Sequence, residues 1–247
     1  MRISRLYHPE QLTCGKEVTL NAEASNHLVK VLRTRPGSPL VLFNGDGCDY
    51  QATTLDDNAR KTRVSIETKI EKSNESNLDI TLIQGLSRHD RMDATIQKSI
   101  ELGVNRIIPV LCQRSNAKLD ASKRDKKLSH WKKIAISACE QSGRSIIPEI
   151  SEIIPINKLC SHQDDWLHLD AVRLLLDPES QTGLKNIEIK GNSIEILIGP
   201  EGGLSAEEIS QLADTGFTSI CFGPRILRTE TAGPAVISAF QTLWGDF

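Results

Sequence analysis

Apolar positions change their rhythm near residue 77. Before that point they fall in short strand-like runs at 39–43, 50–54 and 63–68. Gly45-Asp-Gly47 sits between the first two runs as a hairpin turn, and Arg35-Pro-Gly37 forms another turn. Over residues 24–33, Leu28, Val31 and Leu32 recur at helical spacing. The pattern predicts a small β-barrel with one short helix over 1–72. Residues 73–77 belong to a polar stretch with no large apolar side chain and read as a linker. From 78 to 247 continuous apolar runs at 78–83, 106–111, 171–176, 193–198 and 218–222 read as strands. Helix-like stretches at 92–102 and 122–142 lie among them, each followed by a glycine suited to a C-cap, Gly103 or Gly143. Such alternation predicts an α/β domain, a parallel sheet covered on both faces by helices.

Charge changes the picture more than composition does. The 247 residues carry a formal net charge of −2, and aromatics are only 4%. Taken whole, that argues against a strongly basic nucleic-acid binder. By segment it does not. Residues 86–144 hold 13 basic and 6 acidic side chains, and residues 145–247 hold 6 and 15. A basic block masked by an acidic one points to an anionic partner. The six cysteines are far apart with no C-x-x-C pair, which fits reduced thiols in the cytoplasm and no metal site. No stretch approaches the length of a membrane span, and the N-terminal residues lack the apolar core of a signal peptide.

The chemistry gathers at three strand ends, which read Leu176-Asp-Pro178, Ile198-Gly-Pro200 and Phe222-Gly-Pro224. Proline stops a ladder, glycine lets a ligand approach, and open α/β sheets bind ligands outside the carboxyl ends of their strands. The middle loop, Gly199-Pro-Glu-Gly-Gly203, places Glu201 in a turn and leads to Ser205 and Glu208, a capping box. It matches neither a phosphate loop nor a dinucleotide loop. Glycines, apolar groups and one acid suit a nucleoside with a neutral or positive tail, such as S-adenosylmethionine. The last loop, Gly223 to Ala232, packs Arg225, Arg228 and Glu230 around Ile226 and Leu227, whose apolar character predicts that it folds inward.

Several motifs resemble the RsmE-type ribosomal RNA methyltransferases of the SPOUT superfamily: Gln97-Lys-Ser-Ile-Glu-Leu-Gly103, Glu140-Gln-Ser-Gly-Arg144, Leu197-Ile-Gly-Pro-Glu-Gly-Gly203 and Gly223-Pro-Arg-Ile-Leu-Arg-Thr-Glu-Thr231. In the first block, His27-Leu, Val31-Leu-Arg33 and Phe43-Asn-Gly-Asp-Gly47 match the family's N-terminal domain. The resemblance implies a PUA-like RNA-binding barrel followed by a SPOUT domain with a trefoil knot. It implies a homodimer and S-adenosylmethionine-dependent methylation of uridine N3 in small-subunit ribosomal RNA. One departure is Ala232-Gly-Pro-Ala235, where Pro234 is expected near a helix start, at a position whose N–H would be unbonded.

Carried onto this chain, the resemblance implies cofactor contacts from Leu176, Gly199, Pro200, Glu201, Gly202, Phe222, Gly223, Ile226, Leu227, Arg228 and Thr229. Attack by uracil N3 on a sulfonium methyl needs the N3 proton removed and the resulting anion stabilised by cations. Arg228 is the first candidate, then Arg88 and Arg144. Glu201 or Glu230 is to orient these arginines or accept the proton. Arg33, Lys98, Arg114, Lys118, Arg144 and the basic 122–133 helix are the expected RNA contacts. Against this stand a catalytically inactive RNA-binding assembly factor, a small-molecule α/β enzyme such as an oxidoreductase, and a SPOUT enzyme with another RNA target.

Overall fold

The computed structural model describes residues 3–71, 74–115, 121–161 and 166–247. Lys118, the end of the expected barrel at residue 72 and the start of the linker at 73 lie outside the described residues. Two compact units are present, Met1–Glu75 with Cys139–Ile147, and Ser76–Ala138 with Pro148–Phe247.

In the first unit the strands are β1 (Ser4–Tyr7), β2 (Glu17–Thr19), β3 (Pro39–Phe43), β4 (Cys48–Thr54) and β5 (Arg63–Glu71), paired in the order β1-β3-β4-β5-β2. Among the described residues of this unit only the β1–β3 pair is parallel. The expected barrel takes the form of a curled sheet, and a register shift at Gln51/Ala52 supplies a bend of the kind a bulge produces. Gly45 and Gly47 both have positive φ in the predicted hairpin turn. Leu6, Leu20, Leu28, Leu42, Tyr50 and Ile66 fill the core. Segment Cys139–Ile147 is tied in by Arg5. Its guanidinium lies 3.9 Å above the Phe43 ring and donates to Cys139 O, Arg144 O, Ser145 Oγ and Asp49 Oδ1 at 2.7–2.9 Å. The expected helix over 24–33 is instead α1 (Ala22–Asn26) followed by a π-helical turn, His27–Val31. The wider turn, with Leu32 N donating to His27 O, rotates the later positions outward. Leu28 is therefore buried while Val31 and Leu32 are exposed, a correction to the predicted apolar face.

The second unit holds a parallel sheet in the order β12-β10-β11-β6-β7-β8, with β9 also on β7. Its strands are β6 (Asp79–Gly85), β7 (Arg106–Leu111), β8 (Glu149–Ile150), β9 (Ile154–Pro155), β10 (Val172–Leu176), β11 (Ser193–Ile198) and β12 (Thr218–Ile220). Its main helices are α2 (His89–Glu101), α3 (Ala121–Ser142, of which residues 139–142 belong to the first unit), α4 (Ile156–Ser161), α5 (Ala206–Asp214) and α6 (Thr229–Trp244). The centre of the sheet has no solvent face. β6 is buried from Ile80 to Gly85 and β11 from Ile194 to Ile198, so their apolar runs carry the buried polar residues Thr81, Gln84 and Glu195 within them. β12 is shorter than predicted because Cys221 leaves it to bridge Gly183. Pro234 is also misplaced by the sequence reading. α6 begins at Thr229, so Pro234 is its sixth residue. The missing N–H is one that an intact helix would pair with Glu230 O.

Candidate active site

The three Pro-terminated strand ends converge on one cavity of about 950 Å³ at the carboxyl edge of β10, β11 and β12. Leu176, Ile198, Leu204, Phe222 and Leu227 give it apolar wall, while Asp177, Glu179 and Glu201 bring carboxyl groups and Arg91, Arg114, Arg225 and Arg228 bring cations. Of the eleven residues expected to hold the cofactor, ten line this space, and Gly202 does not. Gly202 backs onto Arg114, where a Cβ would fall 2.9 Å from the Arg114 Cβ. Its carbonyl accepts from Arg114 Nη1 at 3.3 Å. The inward fold expected of the last loop holds for Leu227, which is half-buried, but Ile226 borders the cavity with 84% of its surface exposed.

Backbone packing fixes the shape of the cavity floor. A Cβ on Gly85, at the end of β6, would lie 2.5 Å from Pro200 N and 2.8 Å from Gly199 C. Only glycine lets those two loops meet. At Gly199 itself a Cβ would sit 3.4 Å from Leu204, so the demand for glycine is greater at Gly85. The first residue of α6 joins the same junction. Thr229 Oγ1 donates to Gly199 O at 2.9 Å and accepts from Gln84 Nε2 at 2.9 Å. The predicted capping box is present: Ser205 Oγ accepts from Glu208 N, and Glu208 Oε2 accepts from Ser205 N. Glu208 also accepts from Gln113 N at 2.7 Å, which fastens the loop after β7 to α5.

Glu201 is not a lone carboxylate. Its Oε1 accepts from the backbone N–H of Arg88, at the N-terminus of α2, at 3.0 Å, and from Arg91 Nη1 at 3.2 Å. Arg91 Nε lies 3.7 Å from Glu230 Oε1. Burial pushes the Glu201 carboxyl up. The Arg88 and Glu201 backbone N–H groups and the Arg91 and Arg88 guanidiniums outweigh it and hold the group below its ordinary value. Arg228 lines the cavity, but its side chain is 77% exposed and reaches Glu230 only at 4.0 Å.

The remaining predicted residues are elsewhere. Arg88 meets Glu201 through its backbone, and its side chain is not among those lining the cavity. Arg144 is buried in the first unit, where Nη2 is 2.6 Å from Glu75 Oε2. Arg33 has φ +54 in the first unit, at the end of the π-helical turn. Lys98 is exposed in the last turn of α2. Arg114 is exposed at the cavity edge. Arg91 was missed by the sequence reading. It is the third residue of α2, ahead of the apolar spacing that begins at Met92, so no pattern joins it to a loop 110 residues on.

The profile of the RNA methyltransferase domain family matches residues 74–241, and that of the RNA methyltransferase PUA domain matches residues 20–62. The chain belongs to the RNA methyltransferase family. Ribosomal RNA small subunit methyltransferase E of Buchnera aphidicola subsp. Acyrthosiphon pisum is 35% identical over 248 residues, covering 100% of this chain and 96% of the relative. The Bacillus subtilis protein of the same name is 31% identical over 252 residues, covering 96% of each. Among solved structures, a Neisseria gonorrhoeae ribosomal RNA small subunit methyltransferase E bound to S-adenosyl methionine superposes with TM-score 0.92 at 38% identity. A putative Legionella pneumophila methyltransferase in complex with the same cofactor gives 0.94 at 35%. Both cover 100% of each chain. The RsmE-type resemblance carried by the motifs is thereby borne out, as are the SPOUT-type parallel sheet and the PUA-like first domain.

Proposed function

We propose that this chain methylates N3 of a uridine in small-subunit (16S) ribosomal RNA, with S-adenosylmethionine as methyl donor. The observation that carries the reading is the cavity itself. Its apolar walls and loop backbone suit a nucleoside, and Asp177, Glu179 and Glu201 offer carboxyl groups to a cationic tail. The size, at the upper end of ligand pockets, admits such a molecule and leaves room for an incoming base. Relatives of similar length, described above, are named as ribosomal RNA small subunit methyltransferases or crystallised with this cofactor.

Bound there, S-adenosylmethionine supplies an electrophilic methyl group. The chain supplies position and charge. Leu176, Leu227 and the loops at Gly199 and Gly223 hold the nucleoside. Glu201 stays ionised and orients Arg91. It is a poor proton acceptor, since its neighbours already stabilise the charged form. Arg228 is free to turn toward an arriving base. Replacing it by alanine should leave cofactor affinity unchanged by calorimetry while lowering the methylation rate; an unchanged rate removes its assigned role. The guanidiniums of Arg88 and Arg144 have no part in this reading.

The first unit and the basic residues Lys98, Arg114 and those of α3 are assigned to the RNA. The protein works as a homodimer in the cytoplasm. Nucleoside mapping of ribosomal RNA from a deletion strain tests the whole reading. N3-methyluridine should be missing from the 16S species and return on treatment with purified protein. If it is present in the deletion strain, or does not return, the reading is wrong.

A further inference from the structure

Resting on that reading, we infer that Arg91 is a catalytic residue, the fixed cation that stabilises the anionic target base. Four observations carry it. Arg91 lines the cavity. It is braced from two sides, by Glu201 of the loop after β11 through a 3.2 Å hydrogen bond and by Glu230 in the first turn of α6 at 3.7 Å. It rises from α2, whose N-terminus is itself tied to Glu201 through Arg88 N. Finally, only its Nη1 and Nε are engaged, so Nη2 has no protein partner among the described residues and its N–H groups remain to donate.

A uracil that loses its N3 proton spreads negative charge over N3 and its two carbonyl oxygens. Donors already aimed at that charge cost no reorganisation when it forms. Arg91 meets that condition. Arg228, mostly exposed and 4.0 Å from Glu230, must first turn inward and so adds to that stabilisation only after the base arrives. In the step, the N3 proton passes to water, and the N3 lone pair forms the N–CH₃ bond. The S–CH₃ bond breaks with its electron pair kept by sulfur. Glu201 and Glu230, one on each side of the guanidinium, offset the repulsion that Arg91 alone would exert on a cationic sulfonium. The same wall can thus accept a cation in the ground state and still present N–H donors to an anion.

The test is single-turnover methylation of 16S RNA as a function of pH, with cofactor affinity by calorimetry and melting temperature measured without RNA. Arg91→Met should lower the rate about 100-fold at neutral pH, the scale of losing one preorganised donor. Its rising limb should move to higher pH, because the base anion is no longer favoured. Affinity for S-adenosylmethionine should stay within about threefold, since the loss falls on the transition state. Arg91→Lys keeps the charge without the fork and should recover part of the rate. If Arg91→Met does not fold, Arg91→Lys alone decides, by a rate well below wild type at wild-type cofactor affinity. Glu230→Gln loosens one brace and should shift the limb the same way by a smaller amount. An Arg91→Met rate within about threefold of wild type overturns the inference, as does a rate loss fully matched by lost cofactor affinity. Wild-type protein that leaves no methyl on uridine N3 instead overturns the underlying reading, whatever the variants do.

Discussion

Gly85 shows how little room the site leaves at the scale of one residue. The atoms a new Cβ would strike are backbone atoms of the opposite loop and the ring Cδ of Pro200, none of which can swing aside. Gly85→Ala should therefore cost about 1–3 kcal/mol of stability and weaken cofactor binding, read by urea melts and calorimetry. Gly199→Ala should be milder, because its nearest neighbour is a leucine side chain at 3.4 Å. Glu201 makes a second prediction, on pH. Its folded-state carboxyl is held below the unfolded value, so its stabilisation is present above the unfolded value and is lost as pH falls through the folded one. Between about pH 6 and 8 it stays ionised in both states. The activity profile in that window should carry no limb that disappears in Glu201→Gln.

Helix α6 holds the energetic tension at the scale of elements. Its first residue ties β6 to the Gly199 loop through Thr229 Oγ1, and its sixth is Pro234. Thr229→Val keeps the shape and removes both hydrogen bonds, leaving a buried amide N–H and a carbonyl unpaired. It should destabilise by about 1–3 kcal/mol in chemical denaturation. Pro234→Ala restores a helical N–H and should stabilise by roughly 1–3 kcal/mol by the same measurement. The strands that position the site were legible because burial on both faces writes them as continuous apolar runs, β7 and β11 with the boundaries observed. The capping box and the three Pro-terminated strand ends were legible because their chemistry is local. What was not legible depends on partners distant in sequence. β8 and β9 are two residues each and exist only through pairing with β7. Arg91 acquires its role only when Glu201 and Glu230 fold around it.

The uneven charge along the chain belongs to the scale of the whole molecule. Lys98 and Lys123, Lys126, Lys132 and Lys133 of α3 are all exposed. If these five meet phosphate, RNA affinity should fall steeply between 50 and 200 mM salt, by about 500-fold. Reversing Lys132 and Lys133 to glutamate should flatten that slope with cofactor affinity unchanged. The order of the sheet reaches back to biosynthesis. β10 finds its two neighbours only in β11 and β12, both made after it, and β11 must enter between β10 and a β6 made more than 100 residues earlier. On the ribosome, then, β10 emerges as an apolar strand with no mate. The cavity does not exist until Thr229 has left the exit tunnel. A nascent chain can draw no stability from the cofactor, and the stretch from residue 172 to 229 is the period in which it most needs protection from aggregation.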